Sequence, residues 1–195
     1  MTHGIILAAG RSSRMGRPKA LLTDTSPQTF VARLIDAMRA AGLARVVVIS
    51  RPDDAALAAE AQHHGAVVVQ NPAADEGQLS SLLVGLMSAA DADAVLVSPV
   101  DMPLISSDVM RRLLASAAAS PALIVRAVHR GRHGHPVIFK RDVFDELRRA
   151  DPSEGARAVV RRDLSRVLDV EVEDAGVTLD LDTPDDYQRA FGRKL

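Results

Sequence analysis

The apolar residues of this chain fall into two kinds of segment that alternate along most of its length. Gly4 to Ala8 is a short, solidly apolar run, the pattern of a strand buried on both faces. Phe30, Val31, Leu34, Ile35 and Met38 then recur at helical spacing, and Gly42 stands where that helix should stop. Val46 to Ile49 predicts a second buried strand, Asp53 to His64 a helix closed by Gly65, and Ala66 to Gln70 a third strand. Asn71 to Gln78 reads as a polar loop, Leu79 to Met87 as a helix, and Ala94 to Val97 as a fourth strand. Ser106 can cap a helix whose apolar face carries Val109, Met110, Leu113, Leu114 and Ala117. A strand over Leu123 to Val128 follows, then a Gly/His/Arg loop over His129 to His135. Pro136 to Phe139 reads as a strand that returns antiparallel. Helices near Val143 to Arg149 and Ala156 to Arg161 lead to two last strands, Val167 to Val172 and Val177 to Leu181, and a final helix begins near Pro184.

This alternation predicts α/β architecture: a mostly parallel, Rossmann-like sheet between two helical layers, a three-layer α/β/α sandwich formed by residues 1–195 as a single domain. In such sheets ligands lie beyond the C-terminal ends of the strands, so the loops after strands one, three, four and the last are the places to search.

Composition narrows the chemistry. The formal net charge is −1, and no basic track or aromatic–basic interleaving points to nucleic acid. The chain has no cysteine, which removes disulfides, zinc thiolates and thiol nucleophiles. No apolar run nears the ~20 residues of a membrane span, and the short run Ile5 to Ala9 lacks a basic leader. A cytoplasmic location is the expectation.

The densest chemistry lies in the first loop, Leu7-Ala8-Ala9-Gly10-Arg11-Ser12-Ser13-Arg14-Met15-Gly16-Arg17-Pro18-Lys19. Glycine-rich backbone offers exposed N–H groups to an anion, Arg grips phosphate oxygens in pairs, and Lys acts as a point charge. The spacing is neither Gly-x-Gly-x-x-Gly nor Gly-x4-Gly-Lys-Ser/Thr, so the dinucleotide and P-loop fingerprints are both missing. A solvated basic loop is the plain alternative. Asp101 ends a strongly apolar run, which puts a carboxylate at the same sheet edge; a turn aspartate is its plain alternative. Asp180 and Asp182, two apart on an expected strand end, would point the same way. Thr183, Pro184, Asp185 and Asp186 read as an ordinary helix start, with Thr183 as the cap. Gly77, Ser80 and Ser81 could offer N–H and hydroxyl groups at a helix start or simply cap it. His129, His133 and His135 make a zinc site conceivable, but no carboxylate or thiolate stands at ligand spacing.

The first-loop string, with Arg-Met-Gly-Arg-Pro-Lys-Ala-Leu-Leu at its end, resembles the signature of the molybdopterin nucleotidyltransferase family, most closely its molybdenum cofactor cytidylyltransferase branch. The resemblance implies a fold of the nucleotide-diphospho-sugar transferase type. It also implies transfer of a nucleoside monophosphate from an NTP to a phosphorylated acceptor, with molybdopterin as the acceptor and pyrophosphate released. Arg14 and Lys19 would hold the triphosphate, Leu7 to Ser12 with Gly77, Ser80 and Ser81 would line the nucleotide, and Asp101, Asp182 and Asp180 would hold Mg2+. Gly134, His135 and Pro136 match the family's Gly-His-Pro segment beside the acceptor. Ala9-Gly10, where the guanylyltransferase branch has Gly-Gly, favours CTP over GTP. Gln78-Leu79 departs from the family's Gly-Met-Ser-Ser-Ser-Leu segment. Molybdoenzymes that receive the product would be the protein partners. Three other readings stand beside this one: GTP or a sugar-phosphate acceptor with the same chemistry, a non-catalytic nucleotide-binding module, and an oxidoreductase, which the missing glycine fingerprint disfavours.

Overall fold

A computed structural model describes residues 1–195. In chain order the principal elements are β1 (Thr2–Leu7), α1 (Phe30–Ala40), β2 (Val46–Ser50), α2 (Ala55–His63), β3 (Val67–Gln70), α3 (Gln78–Ser88) and β4 (Ala94–Pro99). They continue with α4 (Ser107–Ala119), β5 (Ile124–His129), β6 (Arg132–Lys140), α5 (Phe144–Arg148), α6 (Ala156–Arg162), β7 (Val167–Glu171) and α7 (Pro184–Phe191). All seven strands join one sheet in the order β3-β2-β1-β4-β6-β5-β7. Only β6 runs against the others, antiparallel to both β4 and β5. No helix is long and apolar enough to cross a membrane.

The continuous apolar runs of β1, β2 and β4 follow from burial on both faces. Successive side chains alternate across a strand, so Ile6, Val48 and Leu96 enter a core with α1, α2 and α4. Ile5, Val47 and Val95 enter a second core with α3, α5 and α6. Each fully buried aliphatic side chain is worth about 1.5–3 kcal/mol, so the two large cores fix the sheet edge on which the first loop and Asp101 sit. Val100 N–H donates to the Leu7 carbonyl (3.1 Å), which locks the end of β4 beside the end of β1.

Two local expectations are corrected. His129 to His135 is not an open loop: β6 already begins at Arg132. Arg130 and Gly131 both have positive φ (50° and 74°), the two-residue hairpin turn that suits the twist of an antiparallel pair. Val177 to Leu181 is not a strand either. Ala175–Thr178 forms a turn of 3-10 helix and the residues after it are irregular. The chain leaves β7 and passes over the end of β6 instead of pairing with the outer sheet edge. A Cβ on Gly134 would lie 1.8 Å from the Val177 carbonyl oxygen, so only glycine admits this crossing. The crossing ends with Leu181 N–H donating to the Asp101 carbonyl (2.8 Å), and this bond delivers the C-terminal acidic segment to the site.

α7 starts as its sequence predicts. Thr183 accepts from Asp186 N–H, the Asp186 carboxylate takes the Thr183 N–H in return, and Pro184 occupies the first turn. Asp186 is thus committed to the cap, and Asp185 is exposed in the same turn.

Candidate active site

A cleft of about 540 Å3 opens at the C-terminal edge of β1, β2 and β4, of a size that suits a small-molecule ligand. Its wall includes Leu7, Ala8, Ala9, Gly10, Arg11 and Ser12 from the first loop, and Lys19 from the end of that loop. Gly77 and Ser81 come from the start of α3, and Asp101 from the turn after β4. The topology brings these together because β1 lies between β2 and β4 and ends beside both.

The first loop is held by its own groups. Ser12 has φ +52°, its carbonyl accepts from Met15 and Gly16 N–H (both 3.1 Å), and its hydroxyl accepts from Lys19 N–H (3.0 Å). Met15 is buried beneath the loop against Leu181 and Tyr187 in a third, small core. Space beside Gly10 is open, since a Cβ there would meet nothing within 4 Å.

Gly77 has φ +103°, a backbone conformation that suits glycine, and it turns the chain into α3. Ser80 and Ser81 divide in role. The Ser80 hydroxyl accepts from Asn71 Nδ2 (2.9 Å), has the carbonyls of Ala73 (2.9 Å) and Gly77 (2.8 Å) in reach of its one proton, and takes no part in the cleft wall. Ser81 lines the cleft and accepts from Asn71 Nδ2 (3.0 Å). Buried Asn71 is therefore the brace of this loop, a role that the sequence does not single out.

The acidic centre is built around one ammonium group. Lys19 Nζ donates to Asp101 Oδ2 (2.9 Å) and to Asp182 Oδ1 (2.8 Å). Burial pulls the Lys19 ammonium down, and the two carboxylates more than offset it, so it stays above its ordinary value. Arg14, at the rim, pairs with Asp182 Oδ2 (2.8 Å). Burial raises the Asp180 carboxyl, and the charges of Asp101 and Asp182 raise it further. Asp180 thus feels the charge of both other aspartates, although Asp180 and Asp182 do not sit on a strand. No three His, Asp or Glu side chains gather tightly enough to ligate one ion, so the acidic centre is a converging pair with Asp180 nearby.

The histidines go separate ways. His129 Nδ1 faces the Val172 carbonyl (2.9 Å), and His133 Nε2 faces Arg126 (2.9 Å) and Asp169 (3.3 Å). His135 stands alone near the acidic centre. Val97 pairs with Val137, so His135, two residues earlier on the reversed strand, reaches the edge where β4 ends. Its Nδ1 is shut off from solvent and has no hydrogen-bond partner. Burial holds the ring below its ordinary range; the Val97 carbonyl and Asp101 pull upward, and Arg157 pushes downward. The His135–Pro136 peptide bond is cis.

Sequence reasoning missed two cations here. Arg157, in the first turn of α6, lies close enough to act on His135. Its signal was a local inconsistency: the first turn of a helix disfavours positive charge, and α6 has no acid there to balance it. Arg51, just beyond β2, lines the cleft and donates to Asp75 (3.0 Å). Arg11 grips the same carboxylate with two bonds (2.9 and 2.6 Å), and the two guanidinium groups hold Asp75 down to about 2.

A glycine-rich cationic loop along a cleft at the edge of an α/β sheet, and an acidic pair joined to that loop through Lys19, are the parts of a nucleotidyltransferase. The chain belongs to the MobA-like NTP transferase domain family, which matches residues 4–167. The molybdenum cofactor cytidylyltransferase of Escherichia coli (strain K12) is 26% identical over 191 residues, covering 97% of this chain and 95% of that protein. The molybdenum cofactor guanylyltransferase of Xanthomonas euvesicatoria pv. vesicatoria (strain 85-10) is 38% identical over 113 residues, covering 57% of this chain and about half (53%) of that protein. Among solved structures, Rv0371c from Mycobacterium tuberculosis H37Rv superposes with a TM-score of 0.85 at 31% identity, covering 98% of each chain. The same protein in complex with manganese superposes with a TM-score of 0.77 at 29% identity, again over 98% of each chain.

Proposed function

We propose that this protein transfers a nucleoside monophosphate from an NTP, CTP by preference, to the phosphate of molybdopterin, with release of pyrophosphate. The observation that carries this reading is Lys19, which joins the first loop to Asp101 and Asp182 in one cluster. That cluster puts phosphate-binding cations and cation-binding carboxylates at one point, as transfer of a phosphoryl group requires.

The backbone N–H groups of the first loop and the start of α3 receive the triphosphate. Arg14 and Lys19 hold the β- and γ-phosphates and stabilise the pyrophosphate that departs. An oxygen of the acceptor phosphate attacks the α-phosphorus, the new P–O bond forms, and the bond from the α-phosphorus to the pyrophosphate oxygen breaks. Gly134, His135 and Pro136 form the acceptor's side of the site. A neutral His135, held so by burial, offers a hydrogen bond without adding charge, and Arg157 supplies the positive charge that an acceptor phosphate needs.

Asp101 and Asp182 fit a divalent cation. Both are hard oxygen donors, both already converge on one positive group, and the mutual repulsion felt by Asp180 marks a surplus of negative charge. Mg2+ is the expected ion, and the manganese bound by a relative supports a divalent site. When bound there it supplies positive charge against the negative charge that develops in transfer. The names of the cytidylyl- and guanylyltransferase relatives support the acceptor, and molybdoenzymes are the partners that would take up the product.

The test is pyrophosphate release across the four NTPs, each with and without molybdopterin or a sugar phosphate. Release that requires CTP and molybdopterin is the expected result. Release with GTP, or with a sugar phosphate alone, keeps the chemistry and overturns the substrate assignment. A folded protein that releases no pyrophosphate with any pair overturns the reading altogether.

A further inference from the structure

Three of the four cations of the first loop are already engaged. Arg11 is paired with Asp75, Arg14 with Asp182, and Lys19 with Asp101 and Asp182 together. Lys19 is the most committed of the three, with only 12% of its side chain exposed. Its ammonium stands 2.9 Å from one carboxylate oxygen and 2.8 Å from the other, the place where an ion shared by the two would sit. Oxygen ligands approach magnesium to about 2.0–2.1 Å, so the ammonium and a cation cannot share that point. Lys19 also lines the cleft that the proposed function gives to the triphosphate.

We propose that Lys19 is a resident counter-ion for Asp101 and Asp182, and that it leaves them for a divalent cation only as its own charge passes to a bound triphosphate. The inference rests on the reading of these two carboxylates as the cation site. Each half of the exchange is unfavourable alone. Withdrawal of Lys19 without a cation leaves partly buried Asp101 with no cationic partner and Asp182 with Arg14 alone, and entry of a cation without triphosphate sets it against the ammonium. Together the two movements keep every charge matched. Cation and nucleotide therefore bind as a coupled pair, and by linkage each raises the affinity for the other by the same factor.

The test reads manganese(II) binding to the full chain by loss of the free-ion EPR signal and by calorimetry, with and without α,β-methylene analogues of CTP and GTP, each titration corrected for the manganese that the analogue alone holds in protein-free solution. Wild-type protein is expected to bind manganese about ten- to hundredfold more tightly when an analogue is present. Lys19→Gln is expected to bind manganese about tenfold more tightly without nucleotide and to lose most of the dependence on the analogue. Arg51→Gln removes a cation from the same cleft that touches neither carboxylate, and should leave manganese affinity within about twofold. Thermal melts confirm that each variant is folded, and Lys19→Arg, which keeps the charge, should restore part of the coupling.

Equal gains from Lys19→Gln and Arg51→Gln would reduce the effect to general charge and overturn the exchange. So would an unchanged manganese affinity in Lys19→Gln. Asp101→Asn and Asp182→Asn separate the two levels. If both lose manganese while Lys19→Gln changes nothing, the carboxylates hold the cation and the exchange alone is wrong. If neither loses manganese, the cation site and the exchange fail together.

Discussion

The two sides of the proposed active site are built by different means. The proposed nucleotide side is local: Leu7 to Lys19 is one unbroken stretch at the end of β1, shaped by Ser12 and floored by Met15. The proposed acceptor side is assembled from pieces far apart in the chain. His135 comes from the one reversed strand, Arg157 from α6, and Asp180 and Asp182 from a segment that crosses over β6. In the proposed function the contiguous loop binds one kind of group, the phosphate chain common to all NTPs. An assembled wall can be altered piece by piece, and this is the side on which acceptor choice would change with the least damage to the fold.

The sharpest way to break this division is at its border. Asp101→Asn should lower turnover by about a thousandfold, as loss of a charge at a transferring phosphoryl group does, with a melting temperature close to wild type. Turnover that survives would remove Asp101 from the chemistry. Arg157→Gln tests the acceptor wall alone. The KM for the acceptor should rise by about tenfold, the worth of one charge-assisted hydrogen bond, while the KM for the NTP stays within about twofold. Equal changes in both constants would mean that the two sides are not separate. The smallest effect is on stability. Because the folded protein holds the Asp180 carboxyl above its ordinary 3.8, ionised Asp180 costs stability at neutral pH, and that cost disappears as pH falls through the raised value towards 3.8. Asp180→Asn should therefore melt slightly higher than wild type at pH 7, with the gain fading in acid, and melting curves from pH 7 to pH 3.5 would show it. A lower melting temperature at pH 7 would contradict the crowding of the three aspartates.

This division also explains what the sequence made legible. Buried strands betray themselves by unbroken apolar runs, and caps such as Ser106 and Thr183 mark helix starts, so the α/β order, β1 to β5 and β7 were readable with small shifts in their ends, while β6 begins four residues before its apolar run. The first loop was readable because its residues are contiguous. The second half was harder, since non-local contacts decide its shape. Val177 to Leu181 carries apolar residues that suit a strand, yet the backbone passage beside Gly134 and the bond from Leu181 to Asp101 set its course. Arg130-Gly131 looked like part of a loop because Arg seldom takes positive φ, and the hairpin imposes it. Lys19 was legible as a cation of the first loop, but its two carboxylate partners lie 82 and 163 residues away, a distance that no spacing rule spans.

The smallest core of the molecule has the largest reach. Met15, Leu22, Phe30, Leu181 and Tyr187 pack together with Phe191 beside them, and Tyr187 Oη donates to the Thr23 carbonyl (2.6 Å). This handful of side chains is at once the floor of the phosphate loop and the anchor of the segment that carries Asp182. A brief detachment of α7 would release both together, long before either large core opened. Activity would then be extinguished by an opening confined to the last turns of the chain, in a protein whose sheet remained intact.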